Sequence, residues 1–219
     1  MYTKYLIAVL IFICFPVFGQ LKIEFSLTDS IAHVTIHNTS KNNYVFPLDQ
    51  HHLRPYEDDC DSFSDFEPEF PSLALMINIA DTGGKREDYI VGYNKTDYFK
   101  EAQDKRDLLK QKIVDWGNTN NINDYQSAAI NYKIMNNLIY LKAGEKISLK
   151  IKVDLYNITA QEFIFYNYIP DKSKKYKACL SLCNYENIDQ YLTSTQKEGL
   201  KNYKILTGTF ESNSIELVQ

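Results

Sequence analysis

Residues 146–153 read KISLKIKV, and this stretch decides the fold class more clearly than any other part of the chain. Every second side chain is apolar, and a lysine or serine precedes each of the apolar residues Ile147, Leu149, Ile151 and Val153. Successive side chains of a β-strand point to opposite faces of the sheet, so a period of two predicts a strand with one buried face. The lysines predict that the other face meets solvent, as in many antiparallel sheets.

A second alternating region lies near the start of the chain and predicts a β-hairpin. Apolar residues recur at every second position of residues 21–27 and again within residues 31–38. The Thr-Asp-Ser sequence at residues 28–30 separates the two runs and is typical of a turn. Residues 44–48 form another apolar segment, in which Pro47 indicates a sheet edge or a strand end.

Further short apolar segments, bounded by turn residues, continue this pattern along the chain. They lie at residues 73–80, 88–93, 138–141, 162–168, 176–183, 204–209 and 214–218. A total of about eight to ten short strands favours a mainly β fold, an antiparallel β-sandwich, over a doubly wound sheet, whose strands would alternate with helices throughout.

Residues 96–137 break the β pattern and predict a helical insertion in the β domain. Thr96 or Asp97 can cap a first helix, which we expect to end at Gly117, where a left-handed residue would follow the last turn. A second helix is predicted over residues 124–136. Two roles are open for the insertion, since it can cover an exposed sheet edge or close over a ligand as a lid.

Residues 49–71 contain three prolines and many carboxylates, and they predict a long acidic loop without a regular element. Such carboxylates could attract a hard cation such as calcium. Asp59 and Asp61 match the first and third positions of an EF-hand loop, but the later positions do not match. The adjacent His51 and His52 lack the spacing of zinc ligands. We therefore predict a solvated loop, with no metal and no cofactor.

Residues 1–19 have the features of a secretory signal peptide. Lys4 precedes a short apolar run, which falls below the roughly 20 residues that cross a bilayer as a helix. We predict cleavage after Gly19 and export to the periplasm or the cell surface. Cys14 raises the question of lipidation, although Ile13 stands where a bacterial lipobox has a small residue. No later apolar stretch predicts a transmembrane anchor in the mature chain.

Length and composition are those of a globular protein. The chain has 219 residues, of which 44% are hydrophobic and 24% are charged, so a core can form and a multispanning membrane protein is excluded. There are 24 Lys and Arg against 28 Asp and Glu, which lacks the basic excess typical of nucleic-acid-binding proteins. We predict a single domain over residues 20–219 that binds no nucleic acid.

Three stretches together carry a resemblance to a group of exported proteins. They are IAHVTIHNTSKNNYVFPL at residues 31–48, LIYLKAGEKISLKIKV at 138–153 and YKILTGTFESNSIELV at 203–218. Their pattern resembles exported immunoglobulin-like β-sandwich proteins of Bacteroidota, most of which have unknown function. A signal ending in FGQ and a bias toward Asn, Lys, Ile and Tyr fit the same group. The resemblance implies an immunoglobulin-like fold and an exported address, and it implies no active site.

The cysteines constrain the disulfide chemistry of the exported chain. Removal of the signal peptide leaves Cys60, Cys179 and Cys183, for which one disulfide and one free thiol is the simplest arrangement in an oxidising compartment. If residues 176–183 form a strand, Cys179 and Cys183 are separated by about 13 Å of rise, beyond disulfide reach. The strand therefore predicts that Cys60 bonds to one of them or to neither.

One tripeptide resembles the catalytic turn of aspartic proteases. Asp81-Thr82-Gly83 follows an apolar strand, as the catalytic aspartate does in those enzymes. Gly84 stands where they prefer Ala or Ser, and the chain has no second copy, so a catalytic pair would require a dimer. A plain hairpin turn explains the same residues. We predict that the protein is not an enzyme, with a dimeric aspartic hydrolase using Asp81 as an alternative.

Aromatic residues around the helical insertion are the candidates for ligand binding. Tyrosine supplies rigid amphipathic surface for sugar rings or protein partners, although it also packs routinely in β-sheets. The candidates are Tyr93, Tyr98, Trp116, Tyr125 and Tyr132. We predict an exported, non-enzymatic binding domain for an unidentified protein or glycan of the cell envelope. A second hypothesis is an inhibitor or immunity protein that blocks an envelope hydrolase or toxin.

Overall fold

The computed structural model describes residues 20–58, 72–93, 99–154, 158–159, 164–171 and 173–217. Over these residues the chain is mainly β, which confirms the fold class in its coarse form. Within these ranges, three α-helices and one short 3-10 helix accompany the strands: α1 (Phe99–Asn120), α2 (Tyr125–Asn136), the 3-10 helix (Ile188–Tyr191) and α3 (Ser194–Gly199).

Fourteen strands occur in the described part of the chain, and many of them are short. In chain order they are β1 (Leu21–Thr28), β2 (Ile31–Asn38), β3 (Tyr44–Pro47), β4 (Asp49–Pro55), β5 (Ala74–Asp81), β6 (Tyr89–Tyr93), β7 (Leu138–Leu141), β8 (Lys146–Lys152), β9 (Ile158–Thr159), β10 (Ile164–Tyr168), β11 (Tyr176–Asn184), β12 (Lys204–Ile205), β13 (Gly208–Glu211) and β14 (Ile215–Leu217).

One sheet has the order β1-β2-β8 and contains the alternating segments of the sequence. β1 and β2 form the predicted hairpin, and its turn residues Asp29 and Ser30 have φ angles of 49° and 60°. Positive φ at both positions is typical of two-residue hairpin turns, whose twist matches that of the strands. Val34 of β2 lies opposite Phe25 of β1 and Leu149 of β8, and all three are buried. The alternation therefore sets the register.

The largest sheet has the order β13-β11-β5-β4, and β14 also pairs with β11. β11 is antiparallel to β5, whereas β4 runs parallel to β5. Leu180 of β11 lies opposite Ile77 of β5, and both side chains are buried. Apolar side chains of this sheet and of the β1-β2-β8 sheet belong to the same hydrophobic core. The two sheets therefore share one interior.

Two three-stranded sheets, β12-β3-β7 and β6-β10-β9, complete the β structure of the described residues. Pro47 is the last residue of β3, as expected for a residue that cannot donate to the ladder. Tyr168 of β10 is almost completely buried, and its hydroxyl donates to the carbonyl oxygen of Ile77 at 3.1 Å. This hydrogen bond links the β6-β10-β9 sheet to β5.

α1 and α2 pack together and form a second, smaller core with residues from β3 and from the segment around the 3-10 helix and α3. Ile113 of α1 and Ile134 of α2 are fully buried in it. Asn131 is also buried, accepting from Nε1 of Trp116 at 2.8 Å and donating to the carbonyl oxygen of Tyr191 at 2.6 Å. The helices thus form a packed layer with its own polar link to the C-terminal segment.

The prediction that residues 49–71 contain no regular element is wrong at its start, because Asp49–Pro55 forms β4. This strand shows no simple alternation, since its pairing with β5 is parallel and irregular. A strand stabilised by a distant partner leaves little local signal in the sequence. Residues 59–71 lie outside the described part of the chain.

The prediction that α1 ends at Gly117 is also wrong. The helix continues to Asn120, and the left-handed position is taken by Asn121, whose φ is 56°. Gly117 is required for a different reason, because a Cβ there would lie 2.9 Å from the carbonyl oxygen of Ile122 and 3.2 Å from Cβ of Ala128. The glycine permits close contact of α1 with the following turn and with α2.

Candidate binding cleft

An interruption in the pairing of β4 with β5 places the side chains of the candidate site. Asp49 lies opposite Ala74, and the next paired residue of β4, Leu53, lies opposite Leu75. Residues 50–52 therefore have no partner on β5 and form a bulge. These three residues are exposed, whereas Asp49 and Leu53 on either side are buried. The bulge directs two consecutive histidines away from the core.

Asp49 is the buried residue that precedes the bulge, and its hydrogen bonds hold the bulge in place. Its Oδ1 accepts a hydrogen bond from the backbone N–H of His51 at 2.9 Å. Nδ1 of His52 lies 2.9 Å from Oδ2 and 3.0 Å from Oδ1 of the same carboxylate. The backbone N–H of Asp49 donates to the carbonyl oxygen of Leu73 at 3.0 Å. These contacts hold the imidazole of His52 in one orientation.

Each member of the Asp49–His52 pair shifts the pKa of the other toward the charged form. Burial alone raises the pKa of Asp49, but the hydrogen bonds from His52 and from the N–H of His51 outweigh it, so the pKa is lowered. The hydrogen bond to Asp49 raises the pKa of His52, and partial burial opposes this rise. Because an ionised carboxylate only accepts hydrogen bonds, Nδ1 of His52 carries a proton.

A cleft of about 300 Å³ lies beside the bulge. Its walls come from β4, from the C-terminal end of β8 and from β9, so it lies where strands of three different sheets approach one another. Buried apolar side chains form part of the lining, and exposed polar ones form the rest. The lining residues are His51, His52, Leu53, Lys152, Val153, Asp154 and Ile158.

Several side-chain nitrogen atoms at this cleft have no hydrogen-bond partner within the described residues. They are the ring nitrogens of His51, Nε2 of His52, on the side of the ring away from Asp49, and Nζ of Lys152, the exposed last residue of β8. Asp154 already has an interaction of its own. Lys133 of α2 makes a small electrostatic contribution, which adds to the lowering of the Asp49 pKa and opposes the rise of the His52 pKa. Nζ of Lys152 can donate hydrogen bonds to acceptor atoms of a ligand, Nε2 of His52 can do so when the imidazole is protonated, and the buried side chains of Leu53 and Val153 supply apolar contacts.

Comparison of the chain with protein-family models, with curated proteins and with solved structures found no match.

From the sequence, His51 and His52 were considered only as metal ligands, and their connection to Asp49 was not predicted. An Asp followed three residues later by a His, directly after the apolar segment ending at Leu48, was the available signal. That spacing is common in turns and has no fixed meaning by itself. Only the parallel pairing of β4 with β5 shows that residues 50–52 form a bulge over a buried carboxylate.

None of the aromatic candidates that the structure describes is among the residues that line the cleft. Trp116 and Tyr132 pack edge to face, with ring centroids 5.6 Å apart, between α1 and α2. Tyr125 is the first residue of α2 and is 39% exposed. Tyr93 ends β6, but its side chain and the whole of Tyr98 lie outside the described part of the chain. The structure thus brings two of the five together, in a packing contact.

Asp81 is the last residue of β5, and its side chain and carbonyl group bond to the turn that follows. Its Oδ1 accepts from the backbone N–H of Lys85 at 2.9 Å, and its carbonyl oxygen accepts from the N–H of Gly84 at 2.9 Å. The bond from Lys85 lowers the pKa of the Asp81 carboxyl, with smaller contributions from Gly83 and Lys174. The geometry is that of a turn-forming aspartate.

The two cysteines of β11 differ in chemical state. Cys179 carries a free thiol. Cys183 is buried and disulfide-bonded, and its partner lies outside the described residues. Cys60 also lies outside them. Cys179 and Cys183 are therefore not bonded to each other.

Within the described ranges, no group of three or more His, Cys, Asp or Glu side chains is arranged to hold a metal ion. Most of the carboxylates of the acidic segment, from Asp59 to Glu69, lie outside those ranges. Of the helices in the same ranges, none has both the length and the apolar character required to cross a membrane.

Proposed function

We propose that this protein is an exported, non-enzymatic binding domain of the cell envelope, and that the cleft beside the β4 bulge holds its ligand. The observation that supports this most directly is that Nε2 of His52 and Nζ of Lys152, neither with a partner in the described residues, line one cleft with the buried side chains of Leu53 and Val153. Small-ligand sites typically combine an apolar lining with a few oriented polar groups. Asp49 provides that orientation, because it fixes the ring of His52 before any ligand arrives.

The raised pKa of His52 favours a role in ligand binding over a role in proton abstraction. A histidine held by a carboxylate through Nδ1 also occurs in catalytic sites, where Nε2 must be unprotonated to act as a general base. Here the hydrogen bond to Asp49 raises the pKa of His52, which increases the protonated fraction near neutral pH. A protonated Nε2 donates a hydrogen bond to a ligand and takes no proton from it.

We propose further that the shared core belongs to an immunoglobulin-like sandwich. The order β1-β2-β8 in one sheet and β13-β11-β5 in the other corresponds to the A-B-E and G-F-C orders of that fold. β4, the two small sheets and the helical layer are additions to this arrangement. The cleft lies at β4, which agrees with the general rule that binding residues occupy additions to a rigid scaffold.

The helical insertion borders the proposed site. Lys133, near the end of α2, acts electrostatically on both Asp49 and His52. α2 is therefore close to one wall of the cleft, although its buried residues belong to the second core. We propose that the insertion both covers β3 and limits access to the cleft from that side.

Export is tested by expressing the full chain and sequencing the N-terminus of the protein recovered outside the cytoplasm. We expect the sequence to begin at Gln20. A product that retains Met1, or that stays in the cytoplasm, contradicts the exported part of the proposal.

Binding is tested by capture from a solubilised envelope extract, with the exported protein immobilised. We expect the wild-type protein to retain a component that the double variant His52→Gln, Lys152→Gln does not retain. The matched control is His37→Gln, Lys150→Gln, which changes the same residue types on β2 and β8 outside the cleft. Glycosidase treatment of the extract separates glycan from protein ligands. Equal capture by both double variants contradicts binding at the cleft.

A further inference from the structure

We infer that the cleft binds a small anionic group, a carboxylate or a phosphate, held between Nε2 of His52 and Nζ of Lys152. This inference rests on the proposed binding function and names the chemical class of its ligand. A protonated imidazole and an ammonium group only donate hydrogen bonds, so their complementary ligand atoms are acceptors, and charged acceptors bind most strongly.

The carboxylate of Asp49 does not cancel this preference. Both of its oxygens lie against Nδ1 of His52, on the buried side of the ring, and Oδ1 also accepts from the N–H of His51. Both oxygens of Asp49 are therefore occupied by contacts within the bulge. Nε2, on the opposite side of the His52 ring, makes no contact with this carboxylate. Asp49 acts as a positioning residue, because it aims Nε2 of His52 away from the bulge and raises the pKa of the imidazole.

The other charged groups near the cleft come from three elements of the described ranges. β4 contributes His51 in addition to the Asp49–His52 pair, α2 contributes Lys133, and the end of β8 contributes Lys152 followed by Asp154. Asp154 and Lys133 each have at least one interaction within the protein. Lys152 is a cation without a partner in the described part of the chain, so an anionic ligand neutralises it at low desolvation cost.

The size of the cleft limits the ligand. A volume of about 300 Å³ lies at the lower end of the range for small-molecule sites. It accommodates a unit the size of one sugar ring or one amino acid residue. Leu53, Val153 and Ile158 supply apolar contacts for the carbon atoms of that unit. A uronic acid residue and a sugar phosphate both have this combination of a compact ring and one anionic group.

The experiment titrates the exported protein with glucuronate, glucose and inorganic phosphate, following heat by calorimetry and the His52 ring signals by NMR. Glucuronate and glucose share a ring and differ in the carboxylate. We expect saturable binding of glucuronate or phosphate, a shift of the His52 signals, and no response to glucose. Competition between the two anions shows whether the site prefers a carboxylate or a phosphate.

Variants assign the binding to the named atoms. We expect His52→Gln and Lys152→Gln each to weaken anion binding about tenfold or more, as for loss of a charged hydrogen bond. The controls His37→Gln and Lys150→Gln should bind like the wild type. For Asp49→Asn we expect weaker binding together with a lower pKa of His52 by NMR, which a merely structural change would not cause. If His52→Gln does not fold, Lys152→Gln still tests the inference, because Lys152 is exposed and its substitution should not prevent folding.

The inference is overturned if glucose binds as well as glucuronate, if neither anion saturates the site, or if Lys152→Gln binds anions normally. It is also overturned if affinity does not fall as pH rises through the pKa of His52. Anion binding can fail while capture from the envelope extract still depends on His52 and Lys152. That result removes the anionic ligand and leaves the proposed binding function standing.

Discussion

Nδ1 of His52 lies 2.9 Å from Oδ2 of Asp49, across a bulge that separates two buried positions of β4. The carboxylate is nearly buried, whereas the imidazole is about half exposed. The pair therefore connects the core of the domain to the open cleft. Because Asp49 also binds the backbone at Leu73, a change in the charge of either side chain acts on both the bulge and its anchor to β5.

The first prediction concerns the pH dependence of stability. The pKa of His52 is raised above its ordinary 6.5, so its contribution to folding is fully present below about pH 6.5 and is lost as pH rises through the folded-state value. The pKa of Asp49 is lowered below its ordinary 3.8, so its contribution is present above about pH 3.8 and is lost as pH falls further. We expect this pair to stabilise the protein most between those two values.

The measurement is the free energy of unfolding from urea titrations between pH 3 and 9, for the wild type and for Asp49→Asn. The difference between the two proteins should be largest near pH 5 and should shrink above the folded-state pKa of His52. Since His52 is half exposed, we expect the pair to contribute no more than about 1 kcal/mol. A difference that is constant over this pH range contradicts the coupling. His51→Gln serves as the control.

The strands with strict alternation could be predicted from the sequence because each has one dry and one wet face. Val34 and Leu149 are buried in register, as the period of two requires. The turn at Asp29 and Ser30 could also be predicted from the sequence, since few residues tolerate consecutive positive φ angles. Local chemistry determines these features, and the sequence displays it directly.

The candidate site could not be predicted in the same way. His52 and Asp49 meet because β4 pairs in parallel with β5 and skips three residues, and this pairing joins segments more than twenty residues apart. Lys152 reaches the same cleft from another sheet. Gly117 shows the same limit, because its need for close packing depends on where Ile122 and Ala128 lie. Contacts of this kind are tertiary, and no local pattern encodes them.

The second prediction concerns Gly117. In Gly117→Ala the added Cβ meets the carbonyl oxygen of Ile122 at 2.9 Å, so α1 or the following turn has to shift. We expect a loss of about 1–3 kcal/mol in the free energy of unfolding, although alanine is the better helix former. The control is Gly199→Ala in α3, where a Cβ has no neighbour within 4 Å. It should be neutral or stabilising by up to about 1 kcal/mol. Equal effects at both positions contradict the packing argument.

The third prediction concerns Asn38, the fully buried last residue of β2. Its Nδ2 donates to the carbonyl oxygens of Asn42, Leu141 and Lys142 at 2.7, 3.1 and 3.0 Å. Its Oδ1 accepts from both the N–H and the hydroxyl of Ser40. These bonds join the end of β2 to β7 and its turn, and truncation leaves several buried groups unpaired.

For Asn38→Ala we therefore expect a loss of about 2–4 kcal/mol in the free energy of unfolding by urea titration. The control Asn136→Ala removes one exposed side-chain hydrogen bond, from Nδ2 to the carbonyl oxygen of Tyr132. It should change stability by no more than about 0.5 kcal/mol. If Asn38→Ala costs as little as the control, water replaces the lost bonds and Asn38 does not link the sheets.

The fourth prediction concerns the thiols. Cys179 carries a free thiol, and partial burial raises its pKa, with a smaller effect of Glu211 in the same direction. Because the thiolate is the reactive form, we expect the folded protein to react with iodoacetamide more slowly than a model thiol at pH 7.5. In denaturant without reductant, one thiol per exported chain should react. Peptide mapping under these conditions should place the label on Cys179 and show a disulfide between Cys60 and Cys183. A label on Cys60 contradicts this pairing, and rapid reaction in the folded state contradicts the protection of Cys179.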